Sequence, residues 1–99
     1  MRIAIDFDGV ICKRTGIPTK AGMGRQMSGA LDSIKLFISL GHEVWVFTSN
    51  PEPEKVKKWL DVNHFPKLKI TNIKEPCTMI IDDRAVRFTN WQDIRKYIH

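Results

Sequence analysis

Cysteine is scarce in this 99-residue chain, and long apolar runs are missing. The two cysteines, Cys12 and Cys77, have neither C-x-x-C spacing nor further partners. That excludes a disulfide framework and a cysteine-rich zinc site, and it fits reduced thiols. No apolar stretch approaches the roughly 20 residues of a membrane span. The N-terminus enters a strand-like segment without a signal-peptide pattern, so a cytoplasmic protein without a membrane partner is expected. Repeats, low-complexity tracts and interdomain linkers are also lacking. Acidic residues are in deficit, with 11 Asp and Glu against 16 Lys and Arg and a net charge of +5. This favours an anionic partner, although a solvated face of lysines produces the same balance. The three histidines have no metal-ligand spacing; His42 and His64 sit beside expected helix ends.

What is present is the pattern of one small α/β domain spanning residues 1–99, with ordinary hydrophobic content. Ile3-Ala4-Ile5 is a short apolar run that leads into Asp6-Phe7-Asp8-Gly9-Val10. Such a run reads as a strand buried in a parallel sheet, and in open α/β sheets chemistry gathers beyond the carboxyl ends of the strands. Asp6 and Asp8, two apart in an extended chain, lean to the same side about 7 Å from one another. Carboxylates that close repel unless a cation lies between them, and Mg²⁺ takes oxygen ligands of this kind. A solvated turn at a strand end is the plainer reading of the same residues.

Cys12 to Met27 lacks apolar periodicity and reads as a long loop carrying Lys13, Arg14, Lys20 and Arg25. Ser28 is placed to cap a helix with Ala30, Leu31, Ile34, Phe37 and Ile38 on one face, ended by Gly41. Val44 to Phe47 forms a second strand closed by Thr48-Ser49-Asn50. Asn50 and Pro51 suit the start of a second helix, with Val56, Trp59 and Leu60 inward. Leu68-Lys69-Ile70 is a short third strand, and a loop carrying Lys74 follows. Thr78 to Ile81 is a fourth strand that delivers Asp82-Asp83-Arg84. Asn90 caps a last helix, with Trp91, Ile94 and Ile98 expected inward. Strands alternating with helices imply βαβ units around a parallel sheet. Three of the four strands thus end in polar, reactive residues: Asp6 and Asp8, Thr48 and Ser49, Asp82 and Asp83.

In this order the motifs resemble the haloacid dehalogenase superfamily of phosphohydrolases, in its minimal capless form. The resemblance rests on Asp6-Phe7-Asp8-Gly9-Val10, Phe47-Thr48-Ser49, Lys74 and Ile80-Ile81-Asp82-Asp83, and it covers nearly the whole chain. It implies a three-layer Rossmann-like domain with a four-stranded parallel sheet of order 3-2-1-4 and helices on both faces. It also implies Mg²⁺-dependent phosphomonoester hydrolysis through an aspartyl-phosphate. Asp6 would be the nucleophile and Asp8 the general acid and base. Asp6, Asp82 and the backbone carbonyl of Asp8 would hold Mg²⁺. Thr48, Ser49 and Lys74 would bind phosphate, and Asp83 would support the metal, while Arg84 could reach substrate or a structural carboxylate. Lys69 competes with Lys74 for the lysine role, but belongs to a strand. The loop 12–27 stands where larger members carry a cap domain. An open site suggests a bulky phosphorylated substrate: a metabolite, a nucleotide or the phosphorylated end of a macromolecule. The substrate's identity and the oligomeric state are left open.

Other classes compete. A two-component receiver domain also arranges acids, Thr and Lys around Mg²⁺, but in a different order along the chain. A basic nucleic-acid-binding protein would cluster Lys and Arg with exposed aromatics, whereas Trp45, Trp59 and Trp91 all fall on expected core faces. An inactive scaffold is disfavoured by the complete acidic set, since unpaired carboxylates at a shared site are costly without a metal.

Overall fold

The computed structural model describes residues 1–14 and 24–98. The elements follow one another as β1 (Arg2–Ile5), α1 (Ala30–Ser39), β2 (Glu43–Phe47), α2 (Pro53–Val62), β3 (Ile70–Thr71), β4 (Met79–Ile81) and α3 (Trp91–Arg95). The strands form one parallel sheet of order β3-β2-β1-β4, the order the family resemblance implies. Ile5 is in register with Val46 on one side and Ile81 on the other. The three strands therefore end level, and the residues after them emerge at one edge.

Side-chain alternation divides the sheet into two unlike faces. Ile3, Ile5, Phe7 and Val46 join Ile34 of α1 and Val56 and Leu60 of α2 in a single buried cluster, with Ile11, Cys12 and Phe65. Both long helices therefore share this face, as right-handed crossovers running β1 to β2 to β3 in one direction require. Ala4 and Trp45, in register with each other, point to the other face. There Trp45 lies between two cations: the Arg2 guanidinium is 4.9 Å from its ring centroid and the Lys69 ammonium 5.0 Å. Arg2 also pairs with Glu43 at 2.6 Å, and Lys69 with Glu75 at 2.8 Å.

Three local expectations are corrected. The helix α1 is preceded by Gly29 in the left-handed conformation and has no side-chain cap from Ser28. The helix α2 starts two residues later than Pro51 suggests, at Pro53, because Asn50 spends its Oδ1 on the Glu52 N–H (2.8 Å) and so holds a turn. The third concerns α3. Asn90 caps it as expected, accepting from the Asp93 N–H at 2.9 Å. Yet Trp91 is 69% exposed and Ile98 75%. No residue of α3 is buried, and it packs against no other element among those described. A helical layer on the second face is therefore not supplied by α3, and the β3–β4 connection contains no helix. Among the described residues, no helix is long and apolar enough to cross a membrane.

Candidate active site

The β1–β4 ladder continues one step beyond the strands, with the Asp6 N–H donating to the Ile81 carbonyl at 2.9 Å. Asp6 therefore leaves β1 beside Asp82 leaving β4, about one strand spacing away. One carboxylate oxygen from each of Asp6, Asp82 and Asp83 lies within 4.8 Å of the others. Each is held differently. The Asp6 Oδ1 accepts from the Phe7 N–H at 2.9 Å, and the Asp82 Oδ1 accepts from the Arg84 N–H at 2.7 Å. Asp83 takes a two-pronged contact from Arg14, with Nε at 3.1 Å and the terminal nitrogen at 3.2 Å.

Gly9 makes that contact possible. Its φ is +87°, and a Cβ at this position would overlap the Asp83 carboxylate and crowd the Arg14 guanidinium. The turn that Gly9 sits in is tight: the Phe7 carbonyl accepts from the N–H groups of Val10, Ile11 and Cys12, and the Gly9 N–H donates to the Cys12 carbonyl. Asp8 rides on this turn, half-buried, and its carboxylate is not one of the three that converge. The ends of the long loop are zipped together by Lys13 N–H to Arg25 C=O (2.9 Å) and Met27 N–H to Ile11 C=O (2.8 Å). Lys20 and the rest of residues 15–23 lie outside the described residues.

Burial pushes the Asp6 carboxyl up to about 6; the Phe7 N–H opposes this, the charges of Asp82 and Asp83 add to it, and Arg14 offsets part. Asp83 moves the other way, below the usual carboxylate range, because Arg14 hydrogen-bonds its charged form. A half-buried carboxyl raised by two acidic neighbours, with all donors hard oxygens, is the electrostatic setting that a small divalent cation relieves. Asp6 and Asp82 fit such an ion best, since Asp83 already has its counter-charge in Arg14.

The other expected residues fall as follows. Thr48 ends β2 beside β1 and is buried; its hydroxyl oxygen accepts from the Asn50 N–H at 3.1 Å and leaves its own proton to donate. Ser49 is exposed next to it. Lys74 is exposed in the β3–β4 connection, and no ion pair joins it to the three acids among the described residues. Lys69 lies just before β3 rather than within a strand as expected, and it is committed to Glu75 and to the Trp45 ring. Arg84 contributes its backbone N–H to Asp82 while its side chain is exposed. The Cys12 thiol is pushed up to about 11 by burial, so it is not a nucleophile at neutral pH. The pairing of Arg14 with Asp83 has no signal in sequence spacing, because it joins residues far apart in the chain across a glycine.

No family model and no curated protein matches the chain. Its fold is similar to that of a conserved protein from Bacteroides thetaiotaomicron, with a TM-score of 0.71 at 21% identity over 99% of this chain and 88% of that one. At that identity the likeness speaks for the α/β fold alone.

Proposed function

We propose that the chain is a phosphomonoester hydrolase of the haloacid dehalogenase type, acting at an open site on a phosphorylated, anionic substrate. The observation that carries the reading is the meeting of the Asp6, Asp82 and Asp83 carboxylates where two neighbouring parallel strands end, beside a buried Thr48. Mg²⁺, when held by Asp6 and Asp82, supplies charge neutralisation for an anionic nucleophile and an anionic phosphoryl group.

The remaining chemistry belongs to the chain. An Asp6 carboxylate oxygen forms a bond to phosphorus as the ester oxygen departs, and the departing oxygen takes the proton carried by Asp8. Asp8, now a carboxylate, accepts a proton from water as that water attacks the phosphorus of the aspartyl-phosphate. Inorganic phosphate leaves, and both carboxyl groups return to their starting forms. The Thr48 hydroxyl donates to a phosphoryl oxygen, with Ser49 alongside and Lys74 offsetting charge as phosphate binds. Arg14 holds Asp83 in place beside the site, so that the third acid is already compensated.

The test is Mg²⁺-dependent hydrolysis of an aryl phosphate, abolished by EDTA. Asp6→Asn should lower turnover by roughly 10⁴-fold or more, as removal of a nucleophile does, with an unchanged circular dichroism spectrum. Wild-type turnover in Asp6→Asn would remove the nucleophile assignment. Asp8→Asn should slow both half-reactions and allow the phosphorylated Asp6 to be trapped.

A further inference from the structure

The aromatic residues of the chain are segregated. Phe7, Phe37, Trp45, Phe47, Trp59 and Phe65 are buried or half-buried in the body of the domain. Every exposed aromatic side chain, namely Phe88, Trp91 and Tyr97, lies on the segment after Asp83. Residues 84–98 also carry Arg84, Arg87, Arg95 and Lys96, all exposed, against one carboxylate, Asp93. Phe88 and Trp91 stand edge to face with ring centroids 5.5 Å apart, and they are 58% and 69% exposed. Exposed aromatic faces interleaved with cations are what a single-stranded nucleic acid binds: bases stack on the rings and phosphates meet the cations.

We propose that residues 84–98 bind a single-stranded nucleic acid, with bases on Phe88, Trp91 and Tyr97 and phosphates on Arg84, Arg87 and Arg95. Two other occupants of an apolar, basic surface fit this segment less well. In a second copy of this chain, one cationic segment would meet another. A membrane surface calls for a long amphipathic helix, whereas α3 spans only Trp91–Arg95. The segment also starts at the acidic site, where the Arg84 N–H is bonded to Asp82 at 2.7 Å. Resting on the phosphatase reading, a strand lying along the segment delivers its phosphorylated end to Asp6.

The experiment titrates a short single-stranded thymidine oligomer into the full-length protein in EDTA, following fluorescence anisotropy of the labelled oligomer. Binding should weaken with salt, with a slope near −2 in log–log form for about three phosphates at about −0.7 each. Trp91→Ala should weaken binding about five- to a hundredfold, the loss of one stacked base. Because Trp91 supports no other element, this variant keeps its fold, which melting checks. Asp6→Asn should bind as wild type. With a phosphorylated oligomer and Mg²⁺, Trp91→Ala should raise KM while leaving turnover of an aryl phosphate unchanged. No binding of the oligomer, binding indifferent to Trp91→Ala, binding to anionic vesicles alone, or a dimer that Trp91→Ala dissociates would each overturn the proposal. Lost oligomer binding with intact Asp6-dependent hydrolysis overturns this inference alone. Binding without any hydrolysis overturns the phosphatase reading alone.

Discussion

Helices α1 and α2, on the one hand, and the segment 84–98, on the other, carry apolar residues at similar helical spacings and meet opposite fates. Ile34, Val56 and Leu60 are buried against Ile3, Ile5 and Val46. Trp91 and Ile98 point into solvent. The difference lies less in the helices than in the sheet they could cover. On one face, β1 and β2 present branched aliphatic side chains that only helices can shield. On the other, Ala4 is small, and Trp45 is already covered by the stems and charged heads of Arg2 and Lys69, which Glu43 and Glu75 hold in place. Arg2 and Lys69 thus cover the part of that face around Trp45, while at β4 Ile80, in register with Ala4, stays 37% exposed, and α3 packs on neither part. Periodicity says which residues share a side of a helix; it is silent on whether a surface waits for them.

Damage to the covered face should cost the molecule most. Leu60→Ala removes a buried side chain that α2 lays on the core, and should cost about 2–5 kcal/mol, read as a lower urea midpoint at constant m-value. A cost under about 1 kcal/mol would mean that α2 is no better seated than α3.

Gly9→Ala comes next and acts on the site rather than the core. A side chain at φ +87° is strained, and its Cβ would displace Asp83 and Arg14. The expected loss is about 1–3 kcal/mol, together with weaker Mg²⁺ binding measured by calorimetry. Retention of both properties would show that the Asp83–Arg14 pair does not depend on the bare backbone at Gly9.

These residues also mark what could be read in advance. The sheet order came with the resemblance, and the buried faces of α1 and α2 came from spacing, because runs such as Val44 to Phe47 leave few ways to bury their side chains; Ile38, expected on the α1 face, is the exception at 40% exposed. The placement of Asp6 beside Asp82 was legible for the same reason: both follow apolar strands of one parallel sheet. Arg14 on Asp83 was not, since an ion pair between a loop and a distant strand end leaves no local periodicity. The exposure of Trp91 was hidden too. A tryptophan at core spacing reads as core, and nothing local in the sequence says that α3 packs on no other described element.

The charge state of Asp6 offers a gentler probe. Its carboxyl is raised to about 6 in the folded protein, so folding favours the protonated form. That contribution is fully present below the unfolded value near 4 and is lost as pH rises through about 6. Without metal, the melting temperature should therefore fall between about pH 4 and 7, relative to an Asp6→Asn variant measured in parallel. Mg²⁺ should bind progressively better over the upper part of that window, because it takes the deprotonated form. An identical pH dependence of melting in the two proteins would show that the Asp6 carboxyl is not raised on folding.

Damage to the exposed segment should cost stability least. Trp91→Ala takes away one of the largest side chains in the chain, which in the core would cost about 3–5 kcal/mol. Here the ring is 69% exposed, and its T-shaped partner is Phe88 on the same segment. Stability should change by no more than about 0.5 kcal/mol, as at ordinary surface positions. A melting shift as large as that of Leu60→Ala would place the segment on the sheet after all. A near-zero shift joined to lost oligomer binding would separate the two halves of the molecule by role: a packed body that holds the acids, and a basic aromatic strip that holds what is brought to them.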